Sequence, residues 1–212
     1  MPTQNINTAV YWDGVYSQEW ESGRVQGDCY HRDYGPIHDA IVDLIPDRSA
    51  VLDIACGAGV LCRKIKNKWP ATRVLGVDFS EYMIERNRKR DEALGIEYRC
   101  VDIRNGLGGL EIQFDVVCMC EILEHLDEPE RVVSTAFDLL KPGGLFVLTC
   151  PHDNSIPDHE HVRVWGHDDV FHLLARYTHT VTFRHFDPPY FHLWMMAYLT
   201  KARSGTGNGL PG

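Results

Sequence analysis

The chain has 212 residues, 44% of them hydrophobic, and a formal charge of −9. That length suits a single α/β domain with one sizeable core, and the acidic balance argues against broad binding to nucleic-acid phosphates, which requires a clustered positive surface. No apolar run approaches the ~20 residues that span a bilayer. The N-terminus MPTQNINTAVYWDGVY lacks the basic start and apolar stretch of a signal peptide, so a soluble, cytoplasmic protein is expected. Seven cysteines are an odd number, and Cys100, Cys118, Cys120 and Cys150 lie in strand-like apolar runs. Reduced core thiols are therefore expected, with Cys118 and Cys120 on one strand face.

In chain order, residues 1–34 read as an N-terminal arm whose aromatics in YWDGVYSQEW suit either a lid over a ligand or an ordinary packed arm. Residues 34–45 carry Ile37, Ile41, Leu44 and Ile45 at helical spacing, with Pro36 at the helix start. SAVLDIA is a buried strand, and a glycine loop opens a helix over VLCRKIKNKW. RVLGVD is a second strand, followed by a helix capped by Ser80 and running to about Leu94. Its basic run ERNRKR reads as a solvated helical face. GIEYRCVDI and FDVVCMC are the third and fourth strands. EPERVVSTAFDLL is a helix stopped by Lys141-Pro142-Gly143-Gly144, and GLFVLTC is a fifth strand. A helix near Asp168 to Tyr177 precedes two last strands, THTVTFRHF and YFHLWMMAYLT, and the tail 202–212 has nothing to bury and is expected to be disordered.

Strands alternating with crossover helices give a Rossmann-like α/β sandwich of three layers. Its seven-stranded sheet is mainly parallel, and the last two strands, with no helix between them, form an antiparallel hairpin. The main domain is drawn over residues 35–201. Ligands should sit beyond the carboxyl ends of the strands, where the winding reverses.

The loop VLDIACGAGVL decides the ligand. Gly57 and Gly59 fit a dinucleotide fingerprint, but its third glycine position holds Cys62. Asp78, ending the second strand, suits a ribose diol in any adenosine cofactor. Asp53, ending the first strand, would repel a pyrophosphate and attract an ammonium. A ligand with a ribose, a positive charge and no phosphate is S-adenosylmethionine.

The whole pattern over residues 35 to 201 resembles the class I S-adenosylmethionine-dependent methyltransferases. VLDIACGAGVL resembles their first motif, with Ala55 where family members often carry glycine. VLGVDFSEYMI resembles the second and implies that Asp78 binds the ribose, with Phe79 and Met83 flanking the adenine. CVDI resembles the third and implies Asp102 as partner of the adenine amino group, although Asp102 also suits a turn. FDVVCMCEILEHLDEPERVVSTAFDLLKPGGLFVLTCP resembles the fourth strand, helix and fifth strand. The resemblance thus implies a cofactor set of Asp53, Ala55, Gly57, Gly59, Asp78, Phe79, Met83, Asp102, Ile103 and Cys120.

The implied reaction is direct displacement at the methyl carbon, in which the protein aligns the reactants and removes a proton. The segment after the fourth strand and His152 to His161 after the fifth are expected to face the methyl. An oxygen of a small molecule, sugar or lipid-pathway intermediate is the expected acceptor, with His125 and Glu121 as catalytic candidates. Histidine's ordinary pKa near ~6.5 suits a general base, and a histidine capping the next helix is the competing reading. Glu121, Glu124, His125 and His161 could also hold magnesium, manganese or zinc, since Glu-x-x-Glu on a helical turn would place both acids on one side. That pattern is similar to metal-using small-RNA 2′-O-methyltransferases and some quinone-pathway O-methyltransferases, although related sequences without metal also carry it. His31 and His38 could line the site, whereas His172, His179, His185 and His192 read as surface or core-edge groups. Four other functions compete: a metal-assisted RNA 2′-O-methyltransferase, a non-catalytic S-adenosylmethionine-binding protein, an NAD-dependent oxidoreductase, which Asp53 opposes, and aminopropyl transfer, whose acidic pattern is not apparent.

Overall fold

A computed structural model describes residues 5–23, 28–106, 110, 112–153, 158–186 and 194–202, with the backbone alone for 28–33 and 194. Residues 203–212 of the expected tail, His192 and the side chain of His31 lie outside the described residues. The helices are α1 (Ala9–Glu21), α2 (Asp28–Leu44), α3 (Val60–Lys68), α4 (Glu81–Arg90), α5 (Pro129–Asp138) and α6 (His167–Leu174). The strands are β1 (Ala50–Ile54), β2 (Arg73–Asp78), β3 (Glu97–Cys100), β4 (Phe114–Cys120), β5 (Leu140–Pro151), β6 (Thr182–Phe186) and β7 (Trp194–Thr200). They form one sheet in the order β3-β2-β1-β4-β5-β7-β6. β1 to β5 run parallel, while β7 is antiparallel to both β5 and β6. The expected fold is the observed one.

Strand alternation divides the core into the two sides of the sheet. Leu52, Ile54, Val117, Met119, Phe146 and Leu148 point toward α5 and α6, where Val132, Val133, Phe137 and Leu174 meet them. Their neighbours Val51, Val74, Val116, Cys118 and Val147 point the other way, against Ile37 and Ile41 of α2 and Leu61 and Ile65 of α3. Cys118 and Cys120 pack on that same cluster, as their spacing predicts. The six described cysteines are all free thiols.

Four local expectations are corrected. Pro36 lies inside α2, not at its start. A proline's fixed φ is helical and removes one internal bond, which the packed face below it outweighs, and the boundary drawn at residue 34/35 consequently falls within a helix. The segment Lys141 to Gly144, expected to end a helix, instead extends β5, while α5 stops at Asp138. A side chain at Gly144 would meet Leu140 Cδ1 at 2.8 Å and the Asp115 carbonyl at 3.0 Å, so glycine is what lets this stretch run beside β4. The third strand covers only Glu97–Cys100, a short edge of the sheet.

The basic run of α4 keeps Glu85, Arg88 and Lys89 exposed, as expected, but its arginines also make inward contacts. Arg88 Nε donates to the Tyr98 carbonyl at 2.9 Å, and Arg90 Nη2 donates to the Ala58 carbonyl at 2.8 Å and to Asp91 at 2.7 Å. The Arg86 guanidinium lies 3.9 Å from the Tyr82 ring centre and 5.2 Å from that of Trp20 in α1. Arg86 and Arg90 thereby fix the N-terminal helix and the glycine loop to α4.

Candidate active site

Between β1 and α3 the chain turns through left-handed conformations at Ala55 (φ +59°), Gly57 (φ +46°) and Gly59 (φ +67°). Close approach fixes the two glycines: a side chain would come within 2.9 Å of the Tyr16 hydroxyl at Gly57, and within 2.5 Å of the Tyr98 hydroxyl at Gly59. The loop carbonyls are held from behind. Asn87 Nδ2 donates to Gly57 O at 2.7 Å, and Arg63 and Arg90 each donate to Ala58 O at 2.8 Å. Asp91 accepts from the Tyr98 hydroxyl at 2.7 Å and ties the same cluster together.

Two cavities open in front of this loop, at the β1/β4 switch of the sheet, and Ala55, Trp12, Tyr16, Glu121 and His125 line both. The larger, of about 350 Å³, is also lined by Asp53, Gly57, Cys120, Glu124 and His161. The smaller, of about 90 Å³, is lined by Asp78, Phe79, Asp102 and Ile103. Two expected residues do not line either cavity. Met83 is fully buried, packed with Ala58 and Val60 beneath the loop, because the first turn of α4 points it into the protein. Gly59 instead caps α3 over Tyr98.

Asp53 is 3% exposed, and the Cys62 thiol donates to its Oδ2 at 3.2 Å. Burial raises its carboxyl to about 7. Asp78 accepts the backbone N–H groups of Gly57 and Ser80 at 2.9 Å each, while burial pushes it up to about 6. Asp102 both lines its cavity and turns the chain, accepting from Arg104 N at 3.0 Å. The Arg104 side chain grips both of its oxygens at 2.8 Å, which lowers its pKa. No sequence signal singled out Arg104, yet it also donates to Asn7 O at 2.6 Å and sits 5.1 Å from the Phe79 ring centre.

α1 lies across both openings. Its Asp13 carboxylate accepts from the Ser80 hydroxyl, and Trp12 stands 5.3 Å from the His125 ring. Tyr11 donates to Glu160 at 2.6 Å, a bond that holds the phenol near 12, and Asn7 Nδ2 donates to Glu160 O at 2.8 Å. Glu160 was missed because nothing in its local sequence shows that it meets the N-terminal arm. His38, one of the histidines considered above, is buried and lines the larger cavity.

The acceptor side departs from the expected helical turn. Glu121 sits at φ +51° and accepts from Thr149 Oγ1 at 2.7 Å, and a single 3₁₀ turn, Leu123–His125, follows it. The left-handed residue separates Glu121 from the cluster that does form. Donor atoms of Glu124, His125 and His161 all lie within 4.8 Å of one another. Glu124 is 2% exposed, its Oε2 has no hydrogen-bond partner, and burial together with the Glu121 charge pushes its carboxyl well up. Burial lowers His125 to about 4, so the ordinary histidine pKa assumed from sequence does not apply. His125 does not cap the next helix, whose N-cap is Glu128; its Nδ1 faces the Glu160 carbonyl at 3.2 Å. His152, expected to face the methyl, lines neither cavity.

The methyltransferase domain family matches residues 52–146. A ubiquinone biosynthesis O-methyltransferase of Pseudomonas aeruginosa is 30% identical over 167 residues, covering 74% of this chain and 69% of that protein. The chain belongs to the class I S-adenosylmethionine-dependent methyltransferase family. The corresponding enzyme of Coxiella burnetii is 34% identical over 132 residues, 61% of this chain, and the match spans 54% of its length. The chain thus covers about half of that relative. Two solved methyltransferases with bound S-adenosylhomocysteine share the fold. The N-methyltransferase NodS of Bradyrhizobium japonicum has a TM-score of 0.69 at 19% identity, covering 90% of this chain and 98% of its own. The 1,6-didemethyltoxoflavin-N1-methyltransferase of Burkholderia thailandensis has a TM-score of 0.70 at 18% identity, covering 94% and 91%. In this family member the paired cavities lie where a doubly wound sheet binds its ligands, beyond the strand ends.

Proposed function

We propose that the protein transfers a methyl group from S-adenosylmethionine to a hydroxyl of a small molecule. The observation that carries the cofactor half is Asp53: a buried carboxylate, raised by desolvation, facing a cavity and met by a thiol in place of a cation. An ammonium placed there restores the charge balance that burial removed. Asp78 keeps two backbone donors and offers its remaining lone pairs to a ribose, with Phe79 and Ile103 forming apolar walls beside it. The bound cofactor supplies an activated methyl on a sulfonium. α1 excludes water from above, and the loop between β1 and α3 sets the approach.

The acceptor half rests on Glu124, His125 and His161. A histidine held near 4 is neutral at pH 7 but a weak base toward an alcohol or phenol. A buried carboxylate with an orphaned oxygen beside two imidazoles fits a divalent cation instead. We take magnesium, manganese or zinc as the ion, held by these three residues, and outside the Glu121-containing set expected from spacing. Such an ion would lower the acceptor hydroxyl's pKa. The Nδ1–H of His125, directed at the Glu160 carbonyl, would leave Nε2 toward the cavity. Glu19, Asp158 and Glu160 line the same cavity, and no lysine or arginine lines it among the described residues, which disfavours an anionic acceptor such as nucleic acid.

The test is calorimetric titration with S-adenosylhomocysteine, then methyl transfer to dihydroxybenzene acceptors before and after chelation. One site per chain, and activity lost to chelator and restored by metal, are the expected results. Binding of NAD with no binding of S-adenosylhomocysteine overturns the cofactor reading; full activity after chelation, with no metal by elemental analysis, overturns the metal.

A further inference from the structure

Ahead of α1 runs a stretch with no helix or strand, Asn5-Ile6-Asn7, whose last residue is only 3% exposed. A buried amide needs partners for its donors. Both N–H bonds of Asn7 Nδ2 have one: Asn5 Oδ1 and the Glu160 carbonyl, each at 2.8 Å. Asn7 Oδ1 accepts from Trp12 Nε1 at 3.0 Å. These partners fix which way the amide points, since an indole N–H only donates and a backbone carbonyl only accepts.

All three contacts bear on His125. Its Nδ1 stands 3.2 Å from the same Glu160 carbonyl, so Nδ1 carries the proton when the ring is neutral. A carbonyl oxygen has two lone pairs, and Glu160 O serves Asn7 and His125 together. His125 Nε2 is then bare, and it faces Glu124 Oε1 at 3.9 Å. The Trp12 ring stands nearly perpendicular to the imidazole, at 82° and 5.3 Å between centres. Asn5 Nδ2 donates to the His125 carbonyl at 3.2 Å, while Asn5 Oδ1 accepts both the backbone and the side-chain N–H of Asn7. His125 is thus bracketed at Nδ1, at its ring and at its backbone by groups that Asn7 holds, directly or through Asn5. From the cofactor side, Arg104 Nη1 donates to Asn7 O at 2.6 Å and ties the segment to the smaller cavity.

We propose that Asn7 is a positioning residue for methyl transfer: it fixes the Glu160 carbonyl and Trp12, and through them the tautomer and orientation that present His125 Nε2 to the acceptor. The inference rests on the reading of His125 as an acceptor-side group given above. Asn7 acts from outside the reacting atoms, as the hydrogen-bond partners behind a ligating histidine do.

The experiment is nitrogen NMR of isotope-labelled histidines in the chelator-treated full chain at pH 8, where an imidazole is neutral. His125→Gln assigns the signal, and circular dichroism establishes that each variant is folded. Asn7→Asp keeps the shape and the bond from Trp12 but sets a carboxylate oxygen against the Glu160 carbonyl; Asn7→Ala removes every side-chain contact. Tyr11→Phe is the control, since it breaks the neighbouring bond to the Glu160 carboxylate and leaves the carbonyl alone. Wild type and Tyr11→Phe should show His125 protonated at Nδ1, and both Asn7 variants a mixture with the Nε2-protonated form. For 1,2-dihydroxybenzene, kcat should fall about tenfold or more in the Asn7 variants, with KM for S-adenosylmethionine little changed. A His125 tautomer unchanged in both Asn7 variants, or altered equally by Tyr11→Phe, overturns the proposal. Failure of the wild type to bind S-adenosylhomocysteine overturns the methyl-transfer reading instead, and the tautomer comparison, made without cofactor, decides the role of Asn7 separately.

Discussion

Ala55 occupies a left-handed conformation at φ +59°, which for a residue with a Cβ costs about 1–2 kcal/mol. Glycine relieves that strain at the cost of a floppier unfolded chain, so Ala55→Gly should stabilise the protein by up to about 1 kcal/mol, read as a rise in urea midpoint at unchanged slope. A lowered midpoint would show that the Ala55 methyl contributes packing that outweighs the strain. Asp53 makes the sharper prediction. Its carboxyl titrates near 7 without a ligand, and an ammonium requires the ionised form. Affinity for S-adenosylhomocysteine should therefore fall as pH drops from 8 to 6, approaching tenfold per pH unit below 7. Asp53→Asn should bind weakly and lose that slope; a pH-independent wild type would remove Asp53 from cofactor binding. Asp78→Ala should weaken the same binding by about 1–3 kcal/mol through lost hydrogen bonds.

None of the residues of α1 is fully buried, and it is held by side-chain bonds from Tyr11 and Asp13 and by the stack of Trp20 with Arg86. Such an element belongs to the low-stability end of a fold. In hydrogen exchange, the α1 amides should exchange far faster than those of β1, β4 and β5, and S-adenosylhomocysteine should slow them. Trp20→Ala, which removes the cation–π partner of α4, should weaken cofactor binding several-fold with little change in the melting temperature of the ligand-free protein. A large drop in that melting temperature would instead make α1 an integral part of the core. α4 shows the limit of reading charge at the element level: the ERNRKR stretch is partly a solvated face, and only the tertiary fold sets the Tyr98 and Ala58 carbonyls and the Trp20 ring beside its arginines.

For the molecule as a whole, buried carboxyls set an unusual pH profile. Asp53 and Asp78, normally near 3.8, are raised to about 7 and about 6 by burial. The folded state therefore binds more protons than the unfolded chain between those values, and stability rises as pH falls from 8 toward 6. His125, lowered from 6.5 to about 4, works the other way: below 6.5 the unfolded chain takes a proton that the folded state refuses. The ligand-free melting temperature should climb from pH 8 toward 6, less steeply below about 6.5, where His125 begins to oppose the carboxyls. Asp53→Asn should blunt the climb; a melting temperature that rises steadily with pH across this range would contradict the burial of these groups.

The alternation of apolar strands with helical runs was enough to determine the sheet, its mainly parallel order and the closing hairpin, because period and turn residues act locally. That Asp53, Gly57 and Asp78 would line the cleft was likewise legible, since they follow strand ends and strand ends converge in this architecture. Met83 was not: one turn of α4 decides whether it faces a cavity or the core, and packing against Val60 chose the core. On the acceptor side Glu124, His125 and His161 were named from the sequence and do come together, while the rest was decided by tertiary structure. Glu121 turned away in a left-handed conformation, Glu160 reaching in from beyond β5, and Arg104 meeting the N-terminal arm depend on contacts between residues far apart in sequence. Local propensity carries no information about such pairings; they exist only once the sheet has brought its strand ends together.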